Sequence, residues 1–207
     1  MKLYLPYYYD DVKDMFLHFC NKYWPEMEVG CFPNKTPVGW TDKIIQHLSG
    51  IKDEYFVTVP EDFWFIEKVN HSIFEKILSF VESNHPDKVE LTGTCYVGLE
   101  EIESKTDHDG VTFSLAKQDL PYRCSLHPSI WRREYFLGIA RPGQNWWKFE
   151  LCQRALNDGG KIYGCSPAPM GKIVNFMWRG KTNPKHLTKY IDPEDKKHVE
   201  AIEAKYK

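Results

Sequence analysis

The stretch Glu54-Tyr-Phe-Val-Thr-Val-Pro-Glu-Asp-Phe-Trp-Phe65 decides the fold class. Its first six residues are almost all β-branched or aromatic, the composition of a strand covered on both faces. Pro60 ends the strand because it cannot donate to a ladder. Glu61 and Asp62 then stand at its carboxyl end, which is where open α/β sheets bind their ligands.

The flanking sequence agrees with such a sheet. Residues 2–8 are rich in β-formers and read as a first strand. Asp10 or Asp11 then caps a helix with Val12, Phe16, Phe19 and Tyr23 at helical spacing, stopping before Pro25. A second strand is predicted over 27–32 and a turn-rich loop over 33–39. A short helix capped by Thr41 carries Ile44, Ile45 and Leu48. Downstream, Ser72 and Glu75 match a capping box opening a helix with Ile73, Ile77, Phe80 and Val81. Strands are predicted over 89–97, 111–116, 161–165 and 172–178. Helices are predicted over 131–139 and 146–157, separated by the turn at Arg141-Pro-Gly143. Strands alternate with helices through the first hundred residues, which predicts one α/β domain with a mostly parallel central sheet flanked by helices. Residues 1–190 make that domain, and the charged stretch 191–207 is a solvated helix or a frayed tail.

The 207 residues are 42% hydrophobic and 27% charged, which excludes wholesale disorder. Seven Trp, twelve Tyr and twelve Phe exceed what a modest core needs, and clefts that stack on flat ligands also use them. No apolar run approaches the roughly 20 residues that cross a bilayer. The first residues lack the apolar region of a signal peptide. A soluble, cytoplasmic protein is expected. Cys20, Cys31, Cys95, Cys124, Cys152 and Cys165 form no C-x-x-C pair and read as core thiols.

A formal charge of −2 excludes a uniformly basic nucleic-acid coat. It also hides an asymmetry. Residues 159–191 contain no acid and carry Lys161, Lys172, Arg179, Lys181, Lys185 and Lys189, so the −2 divides into +6 there and −8 elsewhere. Arg123, Arg132, Arg133, Arg141 and Lys148 form a second cationic stretch, relieved only by Glu134. Such segments either hold an anion such as a phosphate or form a solvated face balancing acidic helices.

Four segments carry chemistry-bearing residues. Glu61 and Asp62 suit a hard divalent cation, Mg²⁺ or Mn²⁺, which takes oxygen ligands and bridges carboxylates to phosphate. The other reading is an acidic turn facing water. In Ser125-Leu-His-Pro-Ser-Ile-Trp-Arg-Arg-Glu134, His127 is a ligand, a general base or a structural histidine. Arg132 and Arg133 there contact phosphate or stand in solvent. In Arg141-Pro-Gly-Gln-Asn-Trp-Trp-Lys-Phe-Glu150, Glu150 lies beside Trp146 and Trp147, where apolar surroundings would raise its pKa towards general-base range. The alternative is a surface ion pair. In Met177-Trp-Arg-Gly-Lys181 a glycine between two cations allows close backbone approach to an anion. The chain has no P-loop, no G-x-G-x-x-G opening a helix, no G-x-S-x-G and no H-E-x-x-H. Those absences weigh against the corresponding hydrolytic and redox chemistries.

Taken in order, Gly39–Leu48, Glu54–Phe65, Ser125–Phe136, Arg141–Glu150 and Arg179-Gly-Lys181 resemble a small GT-A-type glycosyltransferase, of the short sugar-nucleotide-dependent family of bacteria and phages. The resemblance runs from Leu3 to about Tyr190 and implies a GT-A-like, Rossmann-like sheet. It implies that a sugar moves from a nucleoside-diphosphate donor to an acceptor hydroxyl with Mn²⁺ or Mg²⁺ assistance. Asp62 matches the second acid of the family's acidic metal motif. Glu61 stands where the family usually has Asp. Glu150 matches the carboxylate that serves as base, and Arg179 and Lys181 match a late basic motif facing the diphosphate. Tyr7, Tyr8 and Trp40 are the expected wall for the donor's base, and His127, Trp131, Arg132 and Trp146 the expected acceptor or phosphate contacts. The acceptor implied is a hydroxymethylated base in phage DNA, in the host cytoplasm, or a cell-surface glycan. The rival is a non-catalytic nucleic-acid or glycan-binding module on the same scaffold.

Overall fold

A computed structural model describes residues 1–36, 39–93, 102–151, 153–178, 181–182 and 191–206. Its elements run β1 (Leu3–Tyr7), α1 (Asp10–Tyr23), β2 (Val29–Pro33), α2 (Trp40–Ser49), β3 (Tyr55–Thr58), β4 (Phe63–Phe65), α3 (His71–Asn84) and β5 (Lys88–Glu90). There follow β6 (Ile102–His108), β7 (Val111–Ala116), β8 (Ser129–Arg132), α4 (Arg133–Ile139), α5 (Trp146–Glu150), β9 (Ile162–Ser166), β10 (Ile173–Asn175), β11 (Met177–Trp178) and β12 (Lys181–Thr182). The helix Pro193–Lys205 closes the order.

Eight strands form one sheet in the order β2-β1-β3-β8-β5-β9-β7-β6. β1 pairs parallel with β2 and β3, and β5 parallel with β9. β8 is antiparallel to β3 and β5, and β7 to β9 and β6. Six of the eight strands therefore run one way, as a mostly parallel sheet requires, while the two reversed strands make four of the seven pairings antiparallel. Period-two alternation sends successive side chains to opposite faces. Leu3, Leu5, Val57 and Ile130 join a large cluster under α1, α3 and the C-terminal helix. Tyr4, Phe56 and Trp131 join a smaller one under α2, α4 and α5. Each such side chain contributes on the order of 1.5–3 kcal/mol by leaving water.

Several local expectations change. Residues 129–132 are the antiparallel strand β8 rather than the start of a helix. Ile130 and Trp131 sit across from Val57 and Phe56, and pairing on both sides outweighs the helical spacing of the apolar residues that follow. The helix begins only at Arg133. α5 stops at Glu150 and gives way to a 3₁₀ turn, Gln153–Ala155. α3 is capped by Asn70, whose side chain accepts the Ile73 N–H at 3.1 Å, so the Ser72–Glu75 box is not formed. Tyr9 precedes α1, and Asp10 and Asp11 lie in its first turn, where their charge suits the helix dipole. The β6–β7 hairpin was not anticipated. Its turn, Asp109-Gly110, has both residues at positive φ, the geometry for which Asp-Gly is favoured.

The C-terminal stretch is a helix, not a frayed tail. Val199 and Ile202 enter the large cluster. Lys22 Nζ donates to Asp192 at 2.6 Å and to Asp195 at 2.8 Å, His18 meets Asp195 at 2.7 Å, and Lys205 and Tyr206 both donate to Asp11 at 2.7 Å. Cys20, Cys124 and Cys165 are buried thiols, but Cys31 is exposed because Phe32 takes the inward position on edge strand β2. Cys95 and Cys152 lie outside the described residues. Among the described residues no helix is long and apolar enough to cross a membrane.

Candidate active site

A cavity of about 610 Å³ opens at the carboxyl ends of β1 and β3, within the roughly 300–1,000 Å³ of small-molecule sites. The topology converges chemistry there. Because β8 runs against its neighbours, the residues leading into it, Ser125 to His127, reach the same end of the sheet as Tyr7, Thr58 and Glu61. β10 pairs with β4 and brings Asn175 beside Phe63.

The walls are held from the backbone upward. Asn34 N–H donates to Tyr7 O at 2.8 Å, and its side-chain amide donates to Trp40 O at 2.9 Å, which sets the Trp40 wall against the end of β1. The turn Arg141–Gln144 is tied to the start of α2. Gly143, at φ +76°, donates its N–H to Asp42 at 2.9 Å, and Gln144 N–H donates to Thr41 Oγ1 at 3.1 Å. A side chain at position 143 would be strained at that φ. Asn145 then caps α5 by accepting the Lys148 N–H at 2.9 Å. Five residues later Glu150 turns inward, and its Oε1 accepts the Leu126 N–H at 2.8 Å.

Three carboxyl groups line the cavity. Both oxygens of Glu61 accept the Tyr8 N–H at 3.0 Å and the Tyr9 N–H at 3.3 Å, which fixes the segment between β1 and α1. Burial pushes the Glu61 pKa up to about 8, against those two amides and with help from the neighbouring Asp62 charge. Asp62 keeps some exposed surface, yet its carboxyl is enclosed by protein. Burial pushes it up to about 7, and the charge of Glu150 adds to the rise. Burial also raises Glu150, while the Leu126 amide and the buried Lys88 ammonium pull the other way. His127 lies along the same wall, with its ring 5.1 Å from that of Phe63, and burial lowers its pKa. Among the described residues, all the exposed large aromatics rim this cavity: Tyr8, Tyr122, Trp146 and Trp147.

Tyr7, Tyr8, Trp40, Glu61, Asp62, His127, Trp146 and Glu150 are thus brought to one cavity. Two expected contacts are not. Trp131 is fully buried between Phe136 and Phe149, because β8 is a central strand whose Trp131 position faces the small cluster. Arg132 is paired with Asp87 at 2.6 Å and does not line the cavity. Arg133 likewise donates to Ile51 O at 2.7 Å. Arg179 lies outside the described residues, and Lys181 is described only through its backbone in β12.

No protein-family model and no curated protein matches the sequence. Solved structures of similar fold include A197 from STIV, at TM-score 0.45 and 16% identity over 86% of this chain and 87% of that one. Another is S. aureus TarS 1-349, at TM-score 0.45 and 14% identity over 81% of this chain and 58% of that one. A third is apo UDP-glucose pyrophosphorylase, at TM-score 0.42 and 13% identity over 73% of this chain and 59% of that one. At such scores function is read from the cavity alone.

Tyr122, Asn175 and the buried pair Lys88 and Glu90 were not singled out from the sequence. The last two carried a legible signal: two opposite charges two apart in a strand share one face, and a central strand buries both. For Tyr122 and Asn175 no local signal exists, since loop and strand ends meet only in the fold.

Proposed function

We propose that this chain is a glycosyltransferase that moves a sugar from a nucleoside-diphosphate donor to an acceptor hydroxyl. The observation that carries it is the placement of Asp62 and Glu150 in one aromatic-walled cavity at the carboxyl ends of β1 and β3, close enough for the charge of Glu150 to raise Asp62. Glu61 and Asp62, pushed up by burial to about 8 and about 7 with no cation among the groups that shift them most, suit a reaction that brings its own positive charge.

A divalent cation, Mn²⁺ or Mg²⁺, fits Asp62 as an oxygen ligand and would neutralise charge developing on the diphosphate. Glu61 fits that role less well than its sequence position suggests, because its carboxylate is turned onto the Tyr8 and Tyr9 amides. Among the described residues no group of three or more metal-binding side chains gathers, so diphosphate oxygens and water would complete the shell, as is usual for Mg²⁺.

The residues of this chain divide the remaining work. Glu150, anchored by the Leu126 amide and raised by burial, receives the proton of the acceptor hydroxyl. Tyr7, Tyr8 and Trp40 supply flat walls for the donor's base. Trp146, Trp147 and Tyr122, exposed at the mouth, offer the acceptor a stacking surface, since exposed apolar groups gathered in one place mark binding sites. Arg179 and Lys181 complete the diphosphate contacts in this reading.

The test is mass spectrometry of two acceptors, hydroxymethylcytosine DNA and a glycan, each incubated with Mn²⁺ and a panel of nucleotide sugars. A pentose or hexose increment on either supports transfer and names the acceptor. Ligand binding without product or donor hydrolysis, in parent and Asp62→Asn alike, would instead mark a binding module.

A further inference from the structure

The side chain of Glu61 joins two segments that the sequence keeps far apart. Each of its oxygens accepts the Tyr8 N–H at 3.0 Å and the Tyr9 N–H at 3.3 Å. One end of this link is rigid. Phe63 N–H donates to Pro60 O at 3.0 Å and closes the turn that carries Glu61. The indole of Trp64, fully buried and stacked on Phe176 at 3.9 Å, donates to Glu61 O at 3.0 Å.

The other end depends on the link. Tyr9 packs against the large cluster and lies 4.7 Å from the Tyr206 ring. Tyr8 is 42% exposed at the cavity rim, with the Tyr9 ring 4.7 Å away. A ring so exposed takes its position from its backbone. That backbone has left β1 at Tyr7 and enters α1 only at Asp10. Amides at a helix start lack acceptors within the helix, and here Glu61 supplies one.

We propose that Glu61 is a positioning residue: its carboxylate is the bracket that holds Tyr8 in place as a wall of the cavity, and it is not a metal ligand. The role of that wall in gripping the donor's base rests on the function proposed above. The base lies away from the bond that breaks, so contact with it contributes equally before and during the reaction. Loosening such contact raises KM and leaves kcat alone, whereas loss of a metal ligand lowers kcat.

Two variants separate the roles. Glu61→Ala removes the acceptor. Glu61→Gln keeps an amide oxygen that both N–H groups can share, but it is a poor cation ligand. Initial rates with Mn²⁺ and a panel of UDP-, GDP- and CMP-sugars read the difference. Glu61→Ala should raise the donor KM by about tenfold with kcat nearly unchanged, and Glu61→Gln should restore the parent KM. A kcat lowered by about a hundredfold in Glu61→Gln, with a raised Mn²⁺ requirement, would show a metal ligand instead. A folded Glu61→Ala protein with the parent's donor KM would leave the bracket purely structural. Either result overturns the proposal.

Hydrogen exchange followed by NMR of tyrosine-¹⁵N-labelled protein tests the bracket without any donor. Tyr8→Phe and Tyr9→Phe identify the two signals among the twelve tyrosines. Both amides should exchange slowly in the parent and in Glu61→Gln, and at least about tenfold faster in Glu61→Ala. Unprotected amides in the parent overturn the proposal even if Glu61→Ala does not fold. If no nucleotide sugar binds the parent, the glycosyltransferase reading fails and the exchange rates still decide the bracket.

Discussion

Carboxylates in the C-terminal helix clasp and in the cavity follow opposite rules. At the C-terminal helix, Asp195 and Asp11 face partners. Burial opposes their ionisation, but bonds from Lys22 and His18 to Asp195, and from Lys205 and Tyr206 to Asp11, hold both below the ordinary carboxylate range. In the cavity, Glu61, Asp62 and Glu150 receive backbone amides, and burial raises all three. The first arrangement clasps two helices. The second stores an unmet demand for positive charge, which a folded protein tolerates where a ligand supplies it.

The largest effects test the cavity side. Asp62→Asn and Glu150→Gln should each lower sugar transfer by a factor on the order of 10² or more, with Glu150→Gln leaving donor binding nearly intact. Initial rates and donor titrations check both, and an unchanged rate in Glu150→Gln removes that residue from the mechanism.

Stability against pH sharpens the contrast, because the two regions carry opposite signs. Glu61 is raised in the folded state from its ordinary 4.5 to about 8. Its contribution is therefore complete below about 4.5 and is lost as pH climbs towards 8. Thermal melts of the ligand-free protein should fall between pH 5 and 8, and Glu61→Gln should flatten that decline. Asp195 is lowered in the folded state, so its contribution is present above its ordinary 3.8 and is lost as pH drops further through the folded value. Asp195→Asn should melt earlier than the parent at pH 7, and the two should converge in strong acid. A constant gap down to low pH would detach the clasp from this charge. The smallest effect is expected for Lys2 and Glu28, paired on the surface, where water screens the charges. Glu28→Gln should leave the melting temperature unmoved, and a clear drop would show that exposed pairs matter here as much as the clasp.

Much of the architecture was legible because it is local. The strand ending at Pro60, the helices around Phe16, Ile44 and Ile77, and the acids at the strand's end follow from side-chain period and turn chemistry within a few residues. Glu150 was legible too, from its place beside two Trp side chains. Residues 129–132 were not. Their strand state depends on partners about forty and seventy residues away, at β5 and β3. That one antiparallel insertion buries Trp131, removes Arg132 from the site and delivers His127 to it.

Sequence alone determined that this chain would form a helix-flanked, mostly parallel sheet with two acids at the end of an inner strand, since those properties reside in short-range periodicity. Only the tertiary structure decided which charges meet: Glu61 with two backbone amides, Asp62 with Glu150, and Lys88 through Glu90 with His127. Electrostatic partnership depends on distance and dielectric, and both are set by packing between segments far apart in the chain.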